Sequence, residues 1–317
     1  MSVLTGASEI TAEHFPTPGL ALRSNDVGVQ SRVRGFAGLQ VAAAGRVRGE
    51  LLAGGWQGVG SGERVELLRG VYQRLVWWRY GIAAARVGAG SRHTAEHFVR
   101  PIGAGDTNYD RLGTVGRLRE GATWDSSART WVGGRETPAS RVMVEMGELA
   151  CARFDREAPD GNVVQNWVHL RGTGKRVRGN RLVRGVVARA VAEELLGRQR
   201  RRGNPVEGFD VGGELIYAAT ARQPTRARLH QAALEVLADA DGDGCSWRAW
   251  CEAVYLLCQA PLTKKGSDAV NRTFAVGVGA VILGEPPRLV HDIDLRAMVL
   301  GQDAFTVHLT TINTPDR

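Results

Sequence analysis

Gln259-Ala-Pro-Leu-Thr-Lys-Lys-Gly-Ser-Asp-Ala-Val-Asn-Arg-Thr-Phe274 is a basic loop that runs into a helix. Ser267 is a favourable N-cap residue with Asp268 in the first turn, and apolar residues recur helically at Val270, Phe274, Val276, Val278, Val281 and Ile282. The spacing predicts an end near Gly284, because Pro286 and Pro287 cannot continue a helix. Lys264, Lys265, Gly266 and the Ser267 hydroxyl surround that helix start. Free backbone N–H groups and the positive dipole end there suit an anion such as a phosphate. A capped helix with two solvated lysines is the plainer reading of the same residues.

Working outward, the segment before this loop reads as a helix from Ser246 to Gln259 rich in Trp247, Trp250, Val254, Tyr255 and Leu256. An amphipathic helix over Thr225 to Ala238 precedes it and runs into Asp239-Ala-Asp-Gly-Asp-Gly244. The carboxylates of Asp239, Asp241 and Asp243 follow the first half of a calcium loop. The second half departs from it, with Ser246 at position 8 and Trp250 at position 12, where a bidentate glutamate should close the shell. Calcium and a plain acidic turn both remain open on this pattern. Beyond the prolines, Asp292 is placed to cap a short helix in which Ile293, Leu295 and Met298 pack inward and Asp294 and Arg296 stay polar. Asp292 and Asp294 lie close enough to the lysine loop in sequence to orient a hydroxyl or sugar, or to form ordinary caps and ion pairs.

The rest of the chain reads less sharply. Residues 1–60 mix prolines, glycines, alanines and arginines with weak periodicity and are expected to form an arm and Gly-rich lead-in. Gly54 to Gly62 contains a GxGxG without a preceding strand or a following acidic residue, so it is not read as a dinucleotide fingerprint. A helix follows from Glu63, with Trp77 and Trp78 expected in the core. Trp124 and Trp131 flank a hairpin turn at Asp125-Ser-Ser-Ala, and Thr137-Pro138 starts another helix with a hydroxyl cap and proline at N1. Asn162 to Leu170 is the strongest strand, and Leu182 to Leu196 is read as helix. Gly172-Thr-Gly-Lys175 has only the tail of a phosphate loop. Arg198, Arg200, Arg201 and Arg202 then favour the helix's negative dipole end.

Composition bounds the classes. A hydrophobic fraction of 43% over 317 residues is enough for a large core. No apolar run approaches the roughly 20 residues of a membrane span. The first residues lack a basic stretch followed by an apolar core, and position 2 is not glycine, so neither a classical signal peptide nor N-myristoylation is expected. The net charge of +8 favours anionic partners without choosing among nucleotides, nucleic acid and acidic proteins. Cys151, Cys245, Cys251 and Cys258 form no CxxC pair and read as reduced structural residues of a cytoplasmic protein. Export as an effector by a route without a classical signal is also compatible.

The order Lys265-Gly266-Ser267, Pro286-Pro287, then Asp294-Leu-Arg-Ala-Met-Val-Leu-Gly-Gln-Asp-Ala-Phe305 resembles the AvrB family of bacterial effectors. There a Trp-rich helix leads to an Arg-Gly-Ser loop, a helix, a Pro-Pro turn and an aspartate segment. The likeness covers about residues 135–306 and continues upstream through Asn204-Pro205, Gly161-Asn162-Val163 and Thr137-Pro138. It implies a mainly α fold of the Fido/AvrB type over residues 61–317, a helical bundle with a small β-containing lobe. It also implies transfer of a rhamnose-type deoxyhexose from a dTDP- or UDP-linked nucleotide sugar to a hydroxyl on a protein or small molecule.

Carried over by position, Thr137, Arg141, Lys265, Ser267 and Asp294 would line the donor site, with Asp294 and Thr137 in catalysis. Gly266 and Asp292 would complete donor binding, and neither a tightly bound cofactor nor a membrane is expected. The family's arginine is lysine here, which keeps the charge but loses the bidentate fork. A histidine found after Asn-Pro in the family appears replaced near Asp210-Val211, and the lipidation glycine is absent. Two alternatives stand beside this reading. One is Fic-like AMP transfer, for which His169 and Gly179-Asn180-Arg181 are an incomplete echo of the motif. The other is a non-catalytic, arginine-rich protein that binds nucleic acid or a subunit.

Overall fold

The computed structural model describes residues 8–86, 94–103, 106–171, 173–240 and 246–313. Helices α1 (Val27–Arg34), α2 (Phe36–Ala53) and α3 (Ser61–Ala84) come first. Strand β1 (Tyr109–Leu112), the hairpin β2 (Thr123–Asp125) and β3 (Thr130–Val132), and helix α4 (Pro138–Glu157) follow. Next are β4 (Val163–His169), β5 (Arg176–Arg184), α5 (Gly185–Arg201) and β6 (Ile216–Ala219). The chain ends in α6 (Thr225–Ala238), α7 (Ser246–Gln259), α8 (Ser267–Ile282), α9 (Ile293–Val299) and α10 (Gln302–Asn313). It is mainly helical, with a small antiparallel sheet.

The helices α2, α3, α6, α7, α8 and α10 enclose the main core, whose centre holds Trp250, Tyr255, Phe274 and Phe305, all fully buried. Burying each such ring removes about 150–250 Å² from water, roughly 4–6 kcal/mol at 25 cal/mol per Å². Trp250 avoids the cost of an orphaned donor because its Nε1 donates to Ala275 O at 2.8 Å. The sheet runs β1-β6-β5-β4, all antiparallel. Leu112, Val164, Leu182 and Ala218 on one face pack on α4 and α9, while Val183 and Tyr217 on the other pack on α5.

Several local expectations hold to the residue. Thr137 caps α4, accepting from Ser140 N at 3.2 Å, with Pro138 at N1. The Trp124/Trp131 hairpin pairs those two residues directly. Others differ, for physical reasons. The lead-in read as loosely packed contains α2, whose inner face is Ala37, Gln40, Ala43, Ala44, Val47 and Leu51. Alanines give little hydropathy contrast, yet they admit a close neighbour. A Cβ on Gly277 of α8 would fall 2.8 Å from Val47 Cβ and 2.9 Å from Ala44 O.

Upstream of it, residues 10–25 form a strap rather than a free arm, with Ile10, Phe15 and Leu22 buried. Its backbone carbonyls are held from both sides. Arg272 donates to Pro16 O, His291 Nδ1 donates to Thr17 O at 2.9 Å, and Ala139 N donates to Leu22 O at 3.1 Å.

Trp78 packs against the core as expected, but Trp77 is 54% exposed. Five residues beyond the buried Tyr72, it points about 140° away from that stripe. Leu182 and Val183 continue β5 instead of starting a helix, paired with Val164 and Val163. Helix α5 begins only at Gly185, where φ is 57° and a Cβ would lie 2.1 Å from Asn162 Oδ1. No helix among the described residues is long and apolar enough to cross a membrane.

Candidate functional site

The basic loop is tightly pinned. Thr263 bridges to Pro101, and its Oγ1 donates to Lys265 O at 2.8 Å. Lys264 N donates to Arg100 O and Lys265 N to His97 O, both at 3.1 Å. Gly266, not Ser267, is the N-cap of α8, at φ 79° over the ring of Phe98 and the stem of Arg79. Only a residue without Cβ fits there, because that atom would come within 2.6 Å of the Phe98 ring. Ser267 is instead the first helical residue. Its Oγ accepts from Thr263 N at 3.2 Å and is spent on closing the turn. This architecture leaves Lys265 exposed, with its ammonium in no ion pair among the described residues.

Asp294 sits in the first turn of α9, near enough to Asp110 of β1 to feel its charge. Asp268, from the first turn of α8, completes a group of three carboxylates brought from three elements. Each residue is only partly exposed, and burial pushes each carboxyl above its ordinary value. For Asp294 the rise is large. The neighbouring Asp268 adds to it, Arg272 opposes it, and Asp292 and Asp110 add further. Asp110 feels the opposing pull of Lys265 and Arg117. Asp268 is held down in part by Arg272 and Arg79, and its Oδ1 is buried without a hydrogen-bond partner.

The cations are built in as firmly. Arg272, 2% exposed, donates to Val290 O at 3.4 Å and to Pro16 O, which fixes it beneath α8. Arg79 stacks on Phe98 with 4.1 Å between its guanidinium carbon and the ring centroid, and burial lowers its pKa to about 10. These carboxylates and cations form one electrostatically linked cluster, the recess, drawn from α3, α8, α9, β1 and the loop before α8. Among the described residues, no group of three or more His, Cys, Asp or Glu side chains is placed to hold a metal ion.

The sequence-derived residues do not all meet there. Lys265 and Asp294 belong to the recess, with Gly266 as the hinge that presents Lys265. Asp292 is an N-cap residue by position, but its side chain does not cap α9. Its carboxylate accepts from Gly19 N at 3.1 Å and Leu20 N at 3.3 Å, tying down the strap.

Arg141 and Asp292 line a separate open cleft of about 780 Å³ between the strap, α4 and His291. Thr137 is fully buried, its Oγ1 donating to Leu118 O at 2.7 Å, so its hydroxyl is committed to the cap rather than free for chemistry. Asp239 accepts from Ser61 Oγ and ends α6, while Asp241 and Asp243 lie outside the described residues.

Three further groups of residues singled out in the sequence fall as follows. His169 and Gly179-Asn180-Arg181 lie on the paired strands β4 and β5, and Asn180 Nδ2 donates to Met298 O at 2.8 Å. Lys175 belongs to the β4–β5 turn rather than to a strand-to-helix phosphate loop. Cys251 and Cys258 are buried free thiols, with burial pushing Cys251 up to about 11 and Cys258 well above its usual value.

Asp110 and Arg272 are the recess residues that sequence reasoning overlooked. Arg272 was signalled by its position four residues after Asp268 on one helix face. Asp110 had no local signal, because only the sheet brings β1 against α9. Comparison with protein-family models and with curated proteins finds no match for this chain.

Proposed function

We propose that the recess is the active site of a group transferase that uses a nucleotide-linked donor, with a rhamnose-type deoxyhexose as the transferred group. What supports this reading is the placement of partly exposed Asp294 in the first turn of α9, where burial and Asp268 push its carboxyl up, together with the exposed Lys265, which acts on the neighbouring Asp110 and has no ion pair among the described residues. Carboxyls strongly perturbed by burial and a specific neighbouring charge concentrate at functional sites. The resemblance to the AvrB family supplies the donor class.

In this mechanism Lys265, beside the N-terminal N–H groups of α8, holds the donor diphosphate. Ionised Asp294 accepts the proton of the acceptor hydroxyl as its oxygen bonds to the sugar's anomeric carbon. The bond from that carbon to the phosphate oxygen breaks, and the nucleoside diphosphate leaves with the electron pair, stabilised by Lys265. A base whose pKa is raised toward neutrality is a stronger proton acceptor than an ordinary carboxylate. Arg141 in the neighbouring cleft is placed to meet the donor's far end or the acceptor.

The test incubates purified protein with dTDP- and UDP-sugars beside ATP and follows donor breakdown by mass spectrometry, with Asp294→Ala as control. Selective loss of a sugar donor, abolished in the variant, is expected. Turnover of ATP alone would replace this reading with nucleotidyl transfer, and no turnover of any donor would remove catalysis from the recess.

A further inference from the structure

Between Gly161 and Ala192 the chain carries seven Lys and Arg residues and no Asp or Glu, against a net charge of +8 for all 317 residues. The β4–β5 hairpin concentrates most of them. Its inward side chains Val164, Val168, Val177 and Leu182 are buried. On the opposite face the register sets Gln165 beside Arg181, Trp167 beside Arg178 and His169 beside Arg176. Helix α5 covers this face only near Val183, leaving the far end open.

Trp167 is 42% exposed, with the guanidinium carbons of Arg176 and Arg178 at 5.5 and 5.6 Å from its ring. Arg171 pairs with Glu252 at 3.1 Å and Arg184 lies 3.6 Å from Asp155, so the flanks are neutralised. Lys175, Arg176, Arg178 and Arg181 have no carboxylate partner among the described residues.

Charges on an edge strand guard against sheet-to-sheet association, and β4 is such an edge. That purpose does not account for Trp167, which adds apolar surface to the face the charges would protect. A π surface flanked by forked guanidinium donors matches a ligand that offers planar bases and phosphates together. An acidic peptide offers the charge without the planar group.

We propose that this hairpin face is a binding site for single-stranded nucleic acid, with bases stacking on Trp167 and Arg176, Arg178, Arg181 and Lys175 contacting phosphates. The site is distinct from the recess and does not depend on donor chemistry there.

The experiment measures fluorescence anisotropy of short single-stranded RNA and DNA oligonucleotides with the full chain, from about 50 to 200 mM salt. Trp167→Ala is expected to weaken binding roughly tenfold at fixed salt with little change in salt slope, and Trp167→Phe to restore most of it. Arg176→Ala with Arg178→Ala should lower the salt slope by about 1.4, at ~0.7 per phosphate contact on a single strand. Arg200→Ala with Arg201→Ala removes the same charge at the end of α5 and should leave affinity within about twofold. The more tightly bound of the two oligonucleotides identifies the preferred sugar. Wild-type affinity in Trp167→Ala, equal losses from the two arginine pairs, or no binding by the wild type at low salt would each overturn the proposal.

Discussion

The recess around Asp294 and the open face of the β4–β5 hairpin both collect charge, in opposite physical regimes. In the recess, Asp110, Asp268 and Asp294 lie within reach of the charges of Arg79, Arg272 and the exposed Lys265, and burial and mutual repulsion raise the carboxyls. On the hairpin Arg176, Arg178 and Arg181 stand on one side of a strand pair around Trp167, with no carboxylate partner among the described residues. Charge that is enclosed changes its proton affinity and becomes chemistry. Charge left in solvent is ordinary in itself and acts through number and spacing. The same basic composition therefore meets two different environments, depending on what covers it.

The largest expected effect breaks the comparison at the recess. Asp294→Ala should lower donor turnover by about 10²–10⁴-fold, the range for a positioned proton acceptor, as read by product formation under saturating donor. Trp167→Ala, on the other face, should leave that rate unchanged. Coupled losses would mean that the two regions are one site.

Next comes Lys265. Lys265→Ala should raise the donor KM and lower kcat, and Lys265→Arg should recover most of the loss, since the arginine fork can also hold a diphosphate.

A packing change of intermediate size tests whether α8 positions the recess. Gly277→Val forces the helix away from Val47 and Ala44, an overpacking worth about 1–3 kcal/mol. The thermal midpoint should fall by several degrees and donor turnover with it, while oligonucleotide binding at the hairpin survives below the transition.

The smallest effect is a pH signature. Asp294 binds its proton more tightly in the folded chain than in the unfolded one, so the folded state holds more protons above the unfolded carboxylate range. Stability contributed by this group is therefore lost as pH rises from about 4 toward the folded value. Asp294→Asn should leave the midpoint unchanged near pH 4 and raise it by about 2–4 °C near pH 8, a shift corresponding to roughly 1 kcal/mol. An equal shift at both pH values would assign the gain to packing rather than to charge.

Much of the helical skeleton was legible because it depends on local signals. Thr225–Ala238, Ser246–Gln259 and the Thr137-Pro138 start were readable from periodicity and capping chemistry alone. So was the Trp124/Trp131 hairpin. Helix α2 was not, since its buried face is mostly alanine and glycines interrupt the exposed side. Strand β6 was not either, because Ile216–Ala219 is buried on both faces and shows no alternation. At the candidate site, Lys265 and Gly266 lie in the loop that leads into α8 and Asp294 in the short helix α9, the elements in which the sequence reading put them. Thr137 and Ser267 looked equally suitable, but their hydroxyls are consumed by a cap and a turn.

The amino-acid sequence by itself determined helices α6 and α7, the capped start of α4, the tryptophan hairpin and the excess of arginine. Those properties depend on residues within a turn or two of one another. Only the tertiary structure decided which charges are enclosed. Asp110, Asp268 and Asp294 lie on three separate elements, and their proton affinity depends on the protein that closes around them. Arg176, Arg178 and Arg181 have no carboxylate partner among the described residues, because antiparallel pairing puts Trp167 and Arg178 side by side on a face left open at that end. Burial and solvent access are properties of the packed chain, and they divide one run of basic sequence into structural ion pairs and free cations.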